Sequence, residues 1–360
     1  MHPILTCPIS REHLSEIDRN ALGDVLGEEI SRVAANRSKI EWSEVTDTAL
    51  LRQDGEGAYP VVDGIPILMA PEMLAASGRF LPLDTAEDPY REAYEEMDFY
   101  NVVAANAGAD LVNSDAYQIV DQVLDAGQFP DPAWLDATYD LSSQADAYAF
   151  VSPIKDMSVL QLGGSGIHAV KFLLAGARES WLLTPMLGEA IVARELAAAF
   201  GVGHRFRSVV GIAEQMPFAD SSFERVYSGG CIHHTMTEHS IPEIHRILAP
   251  TGKFAAIEPW RAPLYSFGIR VFGKQERGVN CRPMDLERTS PIFRSFDQAV
   301  VTHHGAFTRY MLIALGKIGF RPRKQTIARI TRIDDALAST MSLRKYGSSV
   351  AFLADKSVGR

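Results

Sequence analysis

From residue 157 the chain alternates short apolar runs with longer amphipathic ones: SVLQLGG, HAVKFLLAGA, SWLLT, GEAIVARELAAAFG, RSVVG and RVYSGG. Short apolar runs bounded by glycine suit strands buried on both faces, and the runs between them repeat at helical spacing. Strand, helix and strand in repeated succession restrict a chain to a parallel sheet with crossover helices. The later KFAAIEPW, and TIARITRI paired with SSVAFLAD, bring the expected sheet to about seven strands. The fold class that follows is α/β, a Rossmann-like sheet.

At 360 residues the chain exceeds the usual size of one domain, and two unequal domains are expected. Residues 1–75 read as a small β-rich module, because VVDGIPIL has the pattern of a strand, an Asp-Gly turn and a second strand. Residues 76–150 read as a helical linker or cap. Helical spacing appears there in YREAYEEMDFYNVVAANA and in SDAYQIVDQVLDAG, with Ser114 as N-cap of the second and Pro130 and Pro132 ending it. Residues 151–360 hold the large domain, interrupted by a long segment over 259–305.

Composition excludes several classes. No apolar run approaches the ~20 residues that cross a bilayer, and MHPILTCPISREH lacks the basic and apolar halves of a leader, which implies a cytoplasmic protein without membrane association. Cys7, Cys231 and Cys281 include no close pair, as expected of buried thiols in a reducing compartment. A net charge of −10 gives no general attraction for nucleic acid. The one basic stretch, Arg321 to Arg332, reads as a solvated strand edge.

Two constellations carry chemistry. In VLQLGGSGIHAVKF a buried strand runs into Gly163-Gly164-Ser165-Gly166 and then a helix, so that backbone can approach a ligand and helix N–H groups can face it. The second comprises His233, His234, Glu238, His239 and His245 after the fourth strand, Glu258 after the fifth, and His303 and His304 further on. Parallel strands end on one crevice, so several of these side chains can meet over one substrate. His233 or His234 suits a general base, and packing is the bland alternative for both. A metal site on His233, His234, His239 and Glu258 is a second alternative.

The order of these segments resembles the class I S-adenosylmethionine-dependent methyltransferases, in the type 11-like form, over residues 155–355. The glycine strand is followed by LLTPMLGEAIVAREL, by GIAEQMPFADSSFERVYS, by CIHHTMTEHSIPEIHRILAPTGKF and by TRYMLIALGKIGFRPRKQTIARI with SSVAFLAD. The resemblance implies a cofactor pocket at Gln161, Gly163, Gly164, Ser165, Gly166, Thr184, Ala213 and Glu214, with transfer of a methyl group to an O, N or C atom of a small molecule. The chain departs from the pattern where the family places acids. By the resemblance, Gln161 replaces the acid near the methionine amino group, Leu182 the one that takes the ribose hydroxyls and Ile212 the one at the adenine; Glu224 stands for the acid of the fourth strand, and with Glu214 it is expected to supply charge from a neighbouring position. Each charge-assisted hydrogen bond lost without replacement costs about 1.5–3 kcal/mol.

LTCPIS and AYPVVDGIPILM are similar to the small Trm112-type domain, whose family form often carries zinc on cysteines. A zinc ribbon takes about four Cys or His ligands, and here only Cys7, with His13 nearby, is placed to serve, so no structural zinc is expected. The 259–305 segment contains Trp260, Arg261, Tyr265, Arg270 and Arg282, suited to an anionic or aromatic substrate or equally to a homodimer contact. Loss of the family acids leaves two other readings open: an oxidase or lyase using the His/Glu cluster with a metal, and a noncatalytic protein that binds a partner.

Overall fold

The computed structural model describes residues 2–18, 48–53, 58–68, 90–138, 140–263, 282–320, 322–339, 343 and 346–357. Its centre is a seven-stranded sheet of β5 (Ser158–Leu162), β6 (Glu179–Thr184), β7 (Phe206–Val210), β8 (Phe223–Gly229), β9 (Leu248–Pro259), β10 (Gln298–His304) and β11 (Ser349–Asp355). The spatial order is β10-β11-β9-β8-β5-β6-β7. Strands β5 to β9 pair in parallel, and β11 runs antiparallel to both its neighbours.

Both faces of this sheet are covered, because residues adjacent along a strand point into different cores. Val159, Leu182, Tyr227 and Ala255 face a cluster with α3 (Leu141–Val151), α4 (Ile167–Leu174) and α5 (Leu187–Ala199). Leu160, Leu183, Val226 and Phe254 face a cluster with α6 (Thr237–Ile247) and α7 (Leu286–Ser295). The strand, glycine turn and helix expected at Gly163 are β5, the turn and α4.

Ahead of the domain lie α1 (Tyr90–Ala109) and α2 (Asp115–Asp121). Ser114 caps α2 as its sequence suggests, its Oγ accepting from Tyr117 N at 3.2 Å. A four-stranded antiparallel sheet precedes them: β1 (Ser15–Asp18), β2 (Thr48–Leu51), β3 (Ala58–Val62) and β4 (Ile65–Pro66). The β3–β4 turn has Asp63 and Gly64 at φ 52° and 74°, the left-handed pair that a two-residue hairpin requires. This small sheet shares a core with the large domain, since Leu5, Tyr59, Ile65 and Ile67 cluster with Trp181, Val210 and Phe218. Leu68 N donates to Val210 O at 2.8 Å and Ile67 bridges Val210, so the edge beside β7 is covered at that point.

Two expectations are corrected. TIARITRI is not a strand but part of α9 (Lys324–Ala338), which follows α8 (Thr308–Lys317). Its buried residues, Ile327, Thr331, Asp334 and Ala338, fall three or four apart, so the helical period outweighs the β-branched composition. The seventh strand is instead β10, inside the segment read as an insertion, which also contains α7. The basic residues between Arg321 and Arg332 therefore belong to a helical hairpin rather than to a sheet edge.

Candidate active site

The carboxyl ends of β5, β6, β8 and β9 lie along one edge of the sheet, and the order of strands reverses beside β5, the place where parallel sheets of this kind form a ligand crevice. At the end of β5, Gly163, Gly164 and Gly166 have φ of 65°, 71° and 75°. A Cβ on Gly163 would lie 2.4 Å from Cys231 Sγ, and one on Gly166 would lie 2.4 Å from Ala193 Cβ. Glycine is thus required twice over, by conformation and by contact: Gly166 lets α4 close on α5, and Gly163 brings the turn against the β8 end. Gly164 is exposed and Ser165 half-buried, which leaves the middle of the turn facing outward.

Gln161 is buried and braces the turn from within. Its Nε2 donates to Gly163 O and its Oε1 accepts from Ala169 N, each at 2.7 Å. The side chain assigned to a ligand by its sequence position is therefore used to hold the loop to α4. Behind it, His168 Nδ1 meets Tyr148 OH at 2.6 Å, and burial lowers the ring to a pKa of about 4, so it serves as a neutral prop.

Leu182 lies wholly in the core beneath Gly166 and offers nothing to a ligand. The β6 end is carried by Thr184, whose Oγ1 donates to Glu189 Oε2 at 3.1 Å and accepts from Met186 N at 3.3 Å. Glu189, in the first turn of α5, is 6% exposed. Burial raises its pKa to about 7, with the Thr184 hydrogen bond offsetting only part of that rise. An acid is thus present at this corner on the helix instead of the strand. Sequence reading missed it. The available signal was a charged residue on the apolar stripe that continues through Ala193 and Leu196. Helix α1 packs over the same corner: Asn101 Oδ1 accepts from Gly188 N at 3.0 Å, and Asn101 Nδ2 is buried with no hydrogen-bond partner among the described residues.

Glu224 does not reach the crevice. It stands at the amino end of β8, where its Oε2 accepts from Ser158 N at 2.5 Å and pairs with Arg178 at 3.2 Å, so its expected contribution of charge to a ligand is corrected. Ile212 packs in the core, with Ala213 partly buried against it. Glu214 Oε1 accepts from Met236 N at 2.8 Å, tying this loop to the start of α6.

Opposite the glycine turn, the single helical turn Ile232–His234 follows β8. Glu258, buried at the end of β9, organises it. Oε1 accepts from Ile232 N at 2.8 Å and Ser228 Oγ at 3.3 Å, and Oε2 from His233 N at 3.2 Å and His233 Nδ1 at 2.6 Å. This network assigns the Nδ1–H tautomer to His233 and places the basicity of the ring on Nε2. The His234 ring lies 3.9 Å from that of His233, while His239 is exposed on α6. The dyad joins two of the four proposed metal ligands. Among the described residues no group of three or more His, Cys, Asp or Glu side chains is arranged to hold a metal ion.

Just after β9, Trp260 is 9% exposed and meets the His303 ring edge-on at 4.7 Å. Arg261 is exposed, 3.7 Å from Asp285. Tyr265 and Arg270 lie outside the described residues. His304 serves the scaffold, its Nε2 2.8 Å from Asp146 on α3 and its Nδ1 3.0 Å from Asp335 on α9. Those hydrogen bonds overcome the opposing effect of burial and raise its pKa to about 9.

Residues 162–256, from the end of β5 into β9, match the family described as Methyltransferase domain. A ubiquinone/menaquinone biosynthesis C-methyltransferase from Dinoroseobacter shibae is 27% identical over 166 residues, which are 42% of this chain and 62% of that protein. The chain thus spans less than two thirds of that relative. Geranyl diphosphate C-methyltransferase from Streptomyces coelicolor A3(2), solved with Mg2+, geranyl diphosphate and S-adenosyl-L-homocysteine, is 14% identical with a TM-score of 0.43, covering 60% of this chain and 79% of its own. The [4+2]-cyclase SpnF is 15% identical with a TM-score of 0.45, covering 73% and 96%.

Proposed function

We propose that this protein transfers the methyl group of S-adenosylmethionine to a small-molecule acceptor, with His233 as general base and Glu258 as its positioning residue. The observation that carries this reading is the buried His233–Glu258 pair, set within a methyltransferase domain and beside the glycine turn that Cys231 contacts.

The residues present fit the cofactor. Gly163 and Gly166 hold the turn close against Cys231 and Ala193, where a Cβ does not fit, and Gly164 between them leaves exposed backbone for the cofactor to approach. Glu189 supplies a buried carboxyl to accept the vicinal hydroxyls, and Asn101 supplies a buried amide N–H, so the acid missing at Leu182 has a replacement. Thr184 orients that carboxyl, and Ser165, Ala213 and Glu214 line the neighbouring loops. When bound, the cofactor supplies an electrophilic methyl group on a sulfonium.

The remaining chemistry belongs to the chain. Holding donor and acceptor in line converts an encounter into an intramolecular step. His233 Nε2 takes the proton that an O, N or C acceptor loses, and Glu258 holds the ring and stabilises the imidazolium through the 2.6 Å contact. Trp260 offers an apolar wall to the acceptor. The N-terminal sheet, with its Trm112-like sequence, acts as a zinc-free accessory: Cys7 Sγ is within 3.2 Å of Tyr59 OH and accepts from Ser10 N at 3.4 Å.

Methyl transfer from labelled S-adenosylmethionine to a panel of hydroxylated and carbon-acid acceptors tests the proposal, with His233→Ala alongside. Label should move to at least one acceptor with the wild type, and the variant should bind S-adenosylhomocysteine equally well yet transfer ~10²–10⁴ times more slowly. Equal rates in both proteins would remove His233 from the mechanism.

A further inference from the structure

Among the described residues no helix is long and apolar enough to cross a membrane, yet the α8–α9 hairpin has the surface of an element that lies on one. Its turn is built on Gly319 at φ 74°, with nothing within 4 Å of a Cβ there. On either side Ile318 is 77% exposed and Phe320 57% exposed. Along α9 the outward face carries Arg329, Arg332, Ile333 and Leu337 at helical spacing, and all four are exposed. Isolated apolar residues on a surface are ordinary; large ones grouped with arginine on one hairpin are not.

The hairpin is not loosely held. Asp334 Oδ2 accepts from Phe307 N, Thr308 N and Thr308 Oγ1 at 2.9, 2.7 and 2.6 Å, which caps α8 from α9. Asp335 and His304 tie α9 to β10.

Charge identifies the occupant. Residues 298–338, through the end of α9, contain seven Lys and Arg against Asp334 and Asp335, a net +5 in a chain whose net charge is −10, which leaves −15 on the remainder. An anionic surface therefore attracts this hairpin and repels the rest of the molecule, fixing the orientation of approach. A second copy meeting the same face about a two-fold axis would bring like charges together. The exposed side chains beside the arginines are chiefly aliphatic, which suits acyl chains better than stacked bases.

We infer that the α8–α9 hairpin is a docking surface for an anionic phospholipid membrane, with Ile318 and Phe320 entering the headgroup boundary and Arg323, Arg329 and Arg332 meeting the phosphates. Helix α8 starts just after His304, at the carboxyl end of β10, and the docking turn lies at its other end. The inference stands apart from methyl transfer, because docking is read without cofactor or acceptor.

Co-sedimentation of the full chain with phosphatidylcholine vesicles, with and without phosphatidylglycerol, tests it. Binding is expected only with phosphatidylglycerol and should weaken as salt rises. An Ile318→Ser, Phe320→Ser pair and an Arg329→Glu, Arg332→Glu pair should each lower the partition coefficient about tenfold or more, while circular dichroism shows them folded. Absence of binding, equal binding to neutral vesicles, or wild-type binding by both folded variants would overturn the inference. So would a dimer that only these variants dissolve, or displacement from vesicles by single-stranded RNA through the arginines alone.

Discussion

Replacing Glu189 by Gln should make the ligand-free protein more stable above neutral pH and a weaker binder of S-adenosylhomocysteine. The carboxyl is 6% exposed and its pKa rises from 4.5 to about 7 because of burial. Below pH 4.5 it is protonated in both the folded and unfolded chain and has no pH-dependent effect. Between 4.5 and 7 the unfolded chain ionises first, so stability falls as pH rises, and above 7 the full penalty is in place. At about 1.4 kcal/mol per unit, the shift is worth roughly 3 kcal/mol. Gln retains an acceptor for Thr184 Oγ1, so the variant should escape most of that penalty, gaining roughly 4 °C in melting temperature at pH 8 and almost nothing at pH 4.5.

Ligand binding should move the other way. Hydroxyl donors favour the ionised carboxyl, so wild-type affinity should rise through pH 7. Loss of the charge-assisted bond should cost about 1.5–3 kcal/mol, or roughly ten- to a hundredfold in Kd. Differential scanning calorimetry from pH 4.5 to 8.5, with and without S-adenosylhomocysteine, reads both effects. A variant less stable than wild type at every pH, or one that binds the ligand equally well at pH 8, would refute the reasoning.

Other perturbations follow from the same geometry. Glu258→Gln should slow transfer and move the alkaline-rising limb of the pH–rate profile, whereas loss of rate without any change in profile would assign Glu258 to scaffolding alone. His304→Gln should destabilise most at low pH. The raised pKa contributes stability that is complete below 6.5 and is lost as pH rises through about 9. With side-chain exposures of 16% for His304 and 38% for Asp146, solvent screening reduces the effect to roughly 1–2 kcal/mol, measurable by urea denaturation at pH 6 and pH 9.5. Gly166→Ala places a methyl 2.4 Å from Ala193 Cβ at a positive φ, and should cost about 2 kcal/mol or more in stability and also loosen the glycine turn; a neutral thermal shift would contradict this.

The β5–turn–α4 unit was legible because its period changes from continuous apolar to helical across three glycines, and two of them, Gly163 and Gly166, are positions where a side chain fails both by conformation and by contact. TIARITRI misled because its β-branched residues suit a strand while its buried positions repeat every three or four. The true strand, QAVVTHH, is only partly buried and so lacks the apolar run that marks β5 or β6. At the site, strand assignment brought the histidines after the fourth strand and Glu258 after the fifth to one end of the sheet, but it did not single out the His233–Glu258 pair. It did not distinguish the two ends of a strand either, which is why Glu224 was credited to the crevice. Nor does sequence tell whether a polar side chain turns outward to a ligand or inward to backbone, as Gln161 does. Glu189 escaped notice because its importance comes from burial, which depends on how α1 and α5 pack.

The most direct measurement is a calorimetric titration of the purified full chain with S-adenosylhomocysteine, with methionine alone as control. Saturable one-site binding to the wild type, weakened by Glu189→Gln and lost in Gly163→Val, is the expected result. No saturable heat at millimolar ligand from a folded wild-type protein would contradict the assignment of this crevice to S-adenosylmethionine.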